Sequence, residues 1–307
     1  MSTSNLLVAG AINTDLVATM QRAPAAGETI TADGFETFGG GKGANQAVSA
    51  ARNGASVVLL GACGKDANGR DRIADLNNAG IGTSWVCIDD SHSSGVALIF
   101  VEPHGENRIA YVPGATRHVT VGHCVRCFAA IQPELILATN ELPIDCLMQL
   151  FELASKSGIK TILNATPDPL DARPLIKHVD TLIVNEGEAR ELLDLDDSTE
   201  IEVDIIRNLL DQGPTTVVVT LGAQGAIAVT STDSVNVLPP DVSVVDTTGA
   251  GDAFCGAYAA AIARGASIEV ALRFGVFAGA LATEVPGAQT SSPNRASIEH
   301  RMSKTAT

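Results

Sequence analysis

Apolar and polar positions along the 307-residue chain alternate between two textures. Short apolar runs read as buried strands: Leu6 to Ala11, Val57 to Leu60, Leu135 to Ala138, Thr161 to Leu163, Thr181 to Val184 and Thr216 to Thr220. Between them lie stretches with helical spacing: Gly43 to Arg52, Gly69 to Ala79, Ile144 to Ser157, Glu186 to Leu193 and Glu202 to Gln212. Strands alternating with helices predict βαβ units, and so an α/β fold with a mostly parallel sheet flanked by helices on both faces. After Thr220 the texture changes. Gly225 to Val229 and Val235 to Leu238 read as a hairpin, and two Ala-rich helices follow over about 250–264 and 267–284.

Two regions break the alternation. Asp15 to Phe38 is strand-like, with Pro24 and Gly27 in a turn. Ser94 to Val112 reads as two strands, Gly95 to Val101 and Arg108 to Val112, around the turn His104-Gly105-Glu106-Asn107. Both alternate as half-buried antiparallel strands do. The reading is one domain over residues 1–307, with 15–38 and 94–112 inserted as a small antiparallel β lid. A strand layer at the ends of a parallel sheet is well placed to cover a ligand.

Composition narrows the functional classes. At 45% hydrophobic residues the chain is globular rather than disordered. Its 35 acidic and 20 basic residues give a net charge of −15. That balance argues against nucleic acid as a partner, since such binding needs Lys and Arg on the phosphates. An anionic ligand would need positive potential made locally, by backbone N–H groups, helix ends or a metal. No run reaches the ~18–20 apolar residues of a membrane span. Met1 to Asn5 carries no basic side chain, and a cytoplasmic location is expected. Six cysteines are too sparse for a disulfide scaffold. Cys124 and Cys127 form a lone C-x-x-C inside a helix-like stretch, without the second knuckle of a zinc site, and read as ordinary helix cysteines.

Three motifs carry chemistry. Asp246-Thr247-Thr248-Gly249-Ala250-Gly251-Asp252 follows the strand-like Val242 to Val245 and opens a long helix. Small residues there expose free helix N–H groups, which with the helix dipole make an anion site. Asp252, in the first turn, is placed as a general base beside that site. Gly39-Gly40-Gly41-Lys42-Gly43-Ala44-Asn45-Gln46 also runs into a helix. It lacks the spacing and the Ser/Thr of a Walker loop. Its glycines allow close backbone approach, and Lys42 and Asn45 offer a charge and an amide for hydroxyls. Asn13-Thr14-Asp15 follows the first strand, where α/β proteins bind ligands, and suits vicinal sugar hydroxyls.

In this order, G-x-x-N-x-D, G-G-K-G-A-N-Q-A and D-T-x-G-A-G-D resemble the signatures of the ribokinase (PfkB-type) family of carbohydrate kinases. Asn185-Glu186-Gly187-Glu188 is similar to that family's N-x-x-E, and Thr220 to Gly225 to its T-L-G-x-x-G. The matches extend from Asn13 to about Ser291. The resemblance implies ATP-dependent phosphorylation of D-ribose to ribose 5-phosphate, with deoxyribose, a ketohexose or a nucleoside as alternative substrates. It implies Asp252 as the base, and the backbone of Gly249, Ala250 and Gly251 as the anion hole. Asn13, Asp15, Gly41, Lys42, Asn45 and Glu141 are the implied sugar contacts. Asn185 and Glu188 mark the phosphate and magnesium end, and Thr220, Gly222 and Gly225 the nucleotide. Asp246, Thr248, Ala282, Val285, Gly287 and Ser291 fall where a potassium ion is held. A simple cap of the turn by Asp246 is the alternative there.

Some positions depart from the family pattern. Val276 stands where a polar residue often lies beside adenine, and Asn164-Ala165-Thr166-Pro167 replaces a common N-P-A-P. A non-catalytic sugar binder would have no use for Asp252 at an anion site. An NAD enzyme would want G-x-G-x-x-G after the first strand, which Gly10 to Asp15 lacks. The exposed edges of the lid strands lead to the expectation of a homodimer formed through the lid.

Overall fold

Leu6, Leu7, Val8 and Ala9 are all fully buried in strand β1 (Asn5–Ala9). Successive side chains of a strand point to opposite faces, so β1 must be covered on both sides. Leu6 and Val8 enter one core with Tyr258 and Phe277, and Leu7 and Ala9 enter another with Leu147 and Phe151. The computed structural model describes residues 5–103 and 107–305.

The main sheet runs β13 (Ser234–Val237), β12 (Ala226–Thr230), β11 (Thr216–Thr220), β10 (Thr181–Asn185), β9 (Lys160–Asn164), β8 (Leu135–Thr139), β1, β4 (Ser56–Gly64) and β5 (Val86–Asp89). All neighbours are parallel except β11–β12 and β12–β13. One face carries α1 (Lys42–Arg52), α8 (Ala250–Ala263) and α9 (Ile268–Ala282). The other carries α3 (Val121–Ile131), α4 (Ile144–Ser157), α5 (Pro169–Ile176), α6 (Glu186–Leu192) and α7 (Val203–Leu210).

The lid is a separate four-stranded sheet in the order β3 (Gly34–Gly40), β2 (Asn13–Thr19), β6 (Gly95–Val101), β7 (Asn107–Val112). Its two hairpin pairings are antiparallel, as expected, and the join between them, β2 to β6, is parallel. His104, Gly105 and Glu106 of the expected β6–β7 turn lie outside the described residues. Among the described residues no helix is long and apolar enough to cross a membrane.

The sequence reading is corrected at one strand. Val242 to Val245 forms none, and Val244 and Val245 are exposed. Their branched side chains mimic a strand, but the backbone N–H of Val245 goes instead to the Thr283 carbonyl beyond α9. Cys124 and Cys127 lie on the buried side of α3, and all six cysteines are unpaired.

Candidate active site

The site forms where the C-terminal ends of the strands meet the first turns of α1 and α8. Gly41 has φ +89°, and a Cβ there would come within 2.5 Å of the Ala11 carbonyl. Only glycine lets the chain turn this tightly from β3 into α1 against the end of β1. Glu141, just past β8, closes the new helix end. Its carboxylate accepts the N–H groups of Ala11 at 2.8 Å, Lys42 at 3.2 Å and Gly43 at 3.0 Å, and the Thr139 hydroxyl at 2.8 Å. Glu141 was expected as a sugar contact. Its observed partners are three backbone N–H groups and the Thr139 hydroxyl, which makes it also the group that anchors the Gly-rich loop.

A different end is left open at α8. Its cap, Gly249, is left-handed at φ +75°, and no side chain caps the helix. A Cβ on Gly249 would press on Ala288, whereas one on Gly251 would meet nothing within 4 Å. Ala250 N–H reaches the Thr247 carbonyl at 3.2 Å, and it is at Gly251 that the first turn borders open space, as an anion site needs.

Asp252 lies one turn in and is buried. Asn45 donates its amide to Oδ2 at 2.9 Å, and Gln46 donates to Oδ1 at 2.9 Å. Gln46 also reaches Asn164 Oδ1 at 2.9 Å, and Asn164 in turn donates to the Ile183 carbonyl at 3.1 Å. Burial raises the Asp252 pKa above the usual carboxylate range, while Lys42 and the two amides pull it down. Burial alone would depress the Lys42 ammonium, but Asp252, Glu141 and Glu188 more than restore it. Lys42 and the two amides thus oppose the protonation that burial favours at Asp252.

A cleft of ≈ 480 Å³ opens between these groups and the far strand ends. Lys42, Asn164, Asn185, Glu188, Gly251 and Asp252 are among its walls. Asn185 and Glu188 form a capping box at α6: Glu188 N–H donates to Asn185 Oδ1, and Asn185 N–H to Glu188 Oε2, both at 2.8 Å. Burial nevertheless raises the Glu188 pKa. A second, mainly apolar cleft of ≈ 300 Å³ adjoins it across Thr220, Gly222 and Gly251. Gly225, Phe254 and Val276 help to line it. Val276 thus borders a pocket of the expected nucleotide type and gives it an apolar wall.

Asp246 accepts Thr248 N–H on one oxygen and Gly287 N–H on the other, each at 2.9 Å. Thr283 also accepts the Val245 and Asp246 N–H groups. Partial burial raises the Asp246 pKa, but the donors from Gly287 and Thr248 outweigh it and leave the group lowered. These bonds draw 246–248 against 282–291, so the segments holding Thr248, Ala282, Val285, Gly287 and Ser291 do come together. The carbonyls of Ala282 and Gly287 already accept Val285 and Ser291 N–H at 3.3 and 3.2 Å. Asp246 does cap this turn.

Sequence reasoning missed Gln46, Asn164, Thr166 and Cys255, all of which lie in or behind the first cleft. Gln46 was visible in its motif, but helix neighbours do not share a face. Nothing local showed that Asn45 and Gln46 straddle one carboxylate.

The pfkB family carbohydrate kinase model matches residues 3–295. The chain belongs to that family. It is 36% identical to a ribokinase of Schizosaccharomyces pombe, over 96% of each chain. It is 37% identical to the Bacillus subtilis ribokinase, over 97% of this chain and 99% of the other. The structure of Arabidopsis thaliana ribokinase complexed with ribose and ATP superposes with a TM-score of 0.89 at 28% identity, covering 98% of this chain and 99% of that one. As a family member the chain is a phosphotransferase acting on a sugar hydroxyl.

Proposed function

We propose that this carbohydrate kinase transfers the γ-phosphoryl group of ATP to D-ribose, giving ribose 5-phosphate. The observation that carries the reading is Asp252, held on both oxygens by Asn45 and Gln46 at the uncapped start of α8. A neutral hydroxyl needs a base within hydrogen-bond reach, and phosphoryl transfer needs positioning and positive charge rather than covalent chemistry. The ribose complex of the Arabidopsis relative supports the sugar assignment.

In this reading Asn13, Asp15, Gly41, Lys42 and Asn45 surround the sugar, with Glu141 anchoring their loop. Asp252 takes the proton of the attacking hydroxyl. The first-turn N–H groups of Gly249, Ala250 and Gly251 receive the charge of the transferred group. Thr220, Gly222 and Gly225 border the nucleotide, with adenine in the apolar cleft. Asn185 and Glu188 face the phosphate end. One half-buried carboxylate at the phosphate end suits Mg2+, which keeps several waters and few protein ligands. Bound with ATP, the magnesium ion would neutralise phosphate charge.

Asp246 accepts the Thr248 and Gly287 N–H groups and the Thr248 hydroxyl, which leaves about one lone-pair direction of the carboxylate for a cation. With Thr248, Ala282, Val285, Gly287 and Ser291 nearby, it forms an oxygen-rich donor set that suits K+, which would stiffen the loop before α8 from outside the substrate cleft. The unpaired cysteines support a reducing, cytoplasmic setting.

A coupled assay with ATP and magnesium across ribose, 2-deoxyribose, ketohexoses and adenosine tests the substrate. Ribose should give the highest kcat/KM, and a clear preference for another sugar would replace the assignment. The same assay, with potassium chloride titrated against tetramethylammonium chloride, should show activation. A flat response in potassium-free enzyme removes the cation site.

A further inference from the structure

Asp15 stands on β2 opposite Phe38 of β3, with its carboxyl over Gly40, where any Cβ would collide with it. Among the described residues no side chain hydrogen-bonds that carboxyl. From α2 (Ala67–Asn78) Arg72 turns inward, its side chain only 11% exposed. Its NH2 meets Asp75 at 2.8 Å, while Nε and NH1 are buried without a hydrogen-bond partner. Arg72 shares a cavity of ≈ 330 Å³ with Phe38 and Gly39, and so reaches β3 at the residue that pairs with Asp15.

A buried guanidinium edge without an acceptor is costly, as is a buried carboxylate without a donor. Here the two act on each other through space, although among the described residues no ion pair joins them. The remaining charges acting on Asp15 have the opposite effect: Asp252 from α8 and Glu141 from beyond β8 both repel it. The Tyr111 phenol of β7 also lies within its field. Arg72 is the one cation among the groups that act on it.

We propose that Arg72 is a positioning residue of the sugar site, the counter-charge that holds the Asp15 carboxylate ionised and aimed at a sugar hydroxyl. The proposal deepens the sugar-kinase reading and rests on it. Burial already pushes Asp15 up to about 6, with Arg72 the group that restrains it. Without Arg72, burial, Asp252 and Glu141 act unopposed, and Asp15 takes up its proton at a higher pH. A protonated carboxyl accepts fewer hydrogen bonds, so sugar binding weakens from the acid side upward in pH.

Arg72→Met should raise KM for ribose severalfold at neutral pH, the scale of one nearby charge acting on a buried carboxylate. It should leave kcat within a factor of a few. The pH below which KM climbs should move up, and Arg72→Lys should recover part of both effects. In an Asp15→Asn background the Arg72→Met change should add little, because the pair acts as a unit. A fall in kcat at constant KM, an unmoved pH profile, or full additivity with Asp15→Asn would overturn the proposal. The 13C carboxyl resonance of Asp15, assigned by its loss in Asp15→Asn, gives a reading without substrate. Its midpoint should rise in Arg72→Met, or in Arg72→Lys if the methionine variant does not fold, and an unchanged midpoint counts against the idea. Failure of ribose as substrate would leave that midpoint shift intact, so the two failures are distinguishable.

Discussion

Asp252 is one carboxylate with two opposed demands. To act as a base it must be ionised, yet it sits where water is largely excluded, which favours the protonated form. The amides of Asn45 and Gln46 reconcile these demands by donating to both oxygens, and Lys42 adds a positive field. Asp252→Asn keeps the shape and removes the base. It is expected to fold normally, bind sugar nearly as well and lose at least ~10²-fold in kcat, the lower range for a positioned base. Single-turnover measurement with bound sugar checks this, and activity within a few-fold of the parent would remove Asp252 from the role. The position of this carboxylate was legible, because G-A-G-D places it in a helix first turn. The chain from Gln46 through Asn164 to Ile183 was not, because its first link joins residues 118 positions apart and its second 19, and sequence spacing carries no information on such contacts.

At the scale of elements, α1 and α8 have opposite starts. The N-terminus of α1 is saturated by Glu141, whereas that of α8 is left without a side-chain cap. A helix end already neutralised by a carboxylate is a poor anion site, which favours α8 over the Gly-rich loop in the proposed reading. Glu141→Gln tests the anchoring role. An amide nitrogen would then face helix N–H groups, donor against donor, at a cost of about 1–3 kcal/mol. Denaturant unfolding should show that loss, and KM for sugar should rise as the loop loosens; unchanged stability would mean that the four bonds contribute nothing net. Helix Ile144 to Ser157 and strand Thr216 to Thr220 were readable to the residue, because apolar periodicity and flanking turn residues agree there. The polar helix α10 (Arg295–Thr305) buries little more than Ile298, so its periodicity is too weak to detect. Strand β5 is only four residues long, and the Val242 to Val245 run shows that β-branched residues alone do not make a strand.

For the whole molecule, the lid is the element whose stability the single chain does not explain. Register places Asp15, Phe38, Ala97 and Tyr111 in one row across the sheet, with Val17, Ile99 and Ile109 continuing outward on that face. The opposite face carries Phe35, Leu16 and Leu98. Ile109 is 58% exposed, Phe35 66% and Leu98 41%, so apolar side chains meet solvent on both faces. A four-stranded sheet of this kind, with free outer edges at β3 and β7, invites pairing with another chain. A two-fold arrangement satisfies both copies with one surface, and would close the sugar face, on which Asp15 lies, with the partner's lid. The chain is therefore expected to be a homodimer, with a scattering mass near twice the 31.6 kDa of the chain at micromolar concentration. Ile109→Glu puts a charge in the middle of the apolar face and should shift the mass to the monomer. The variant should also bind sugar more weakly, while the main sheet, which shares no core with the lid, keeps its unfolding midpoint. A parent protein that scatters as a monomer, or an Ile109→Glu variant that remains dimeric with unchanged KM, would place the interface elsewhere and leave the lid as a cover made within one chain.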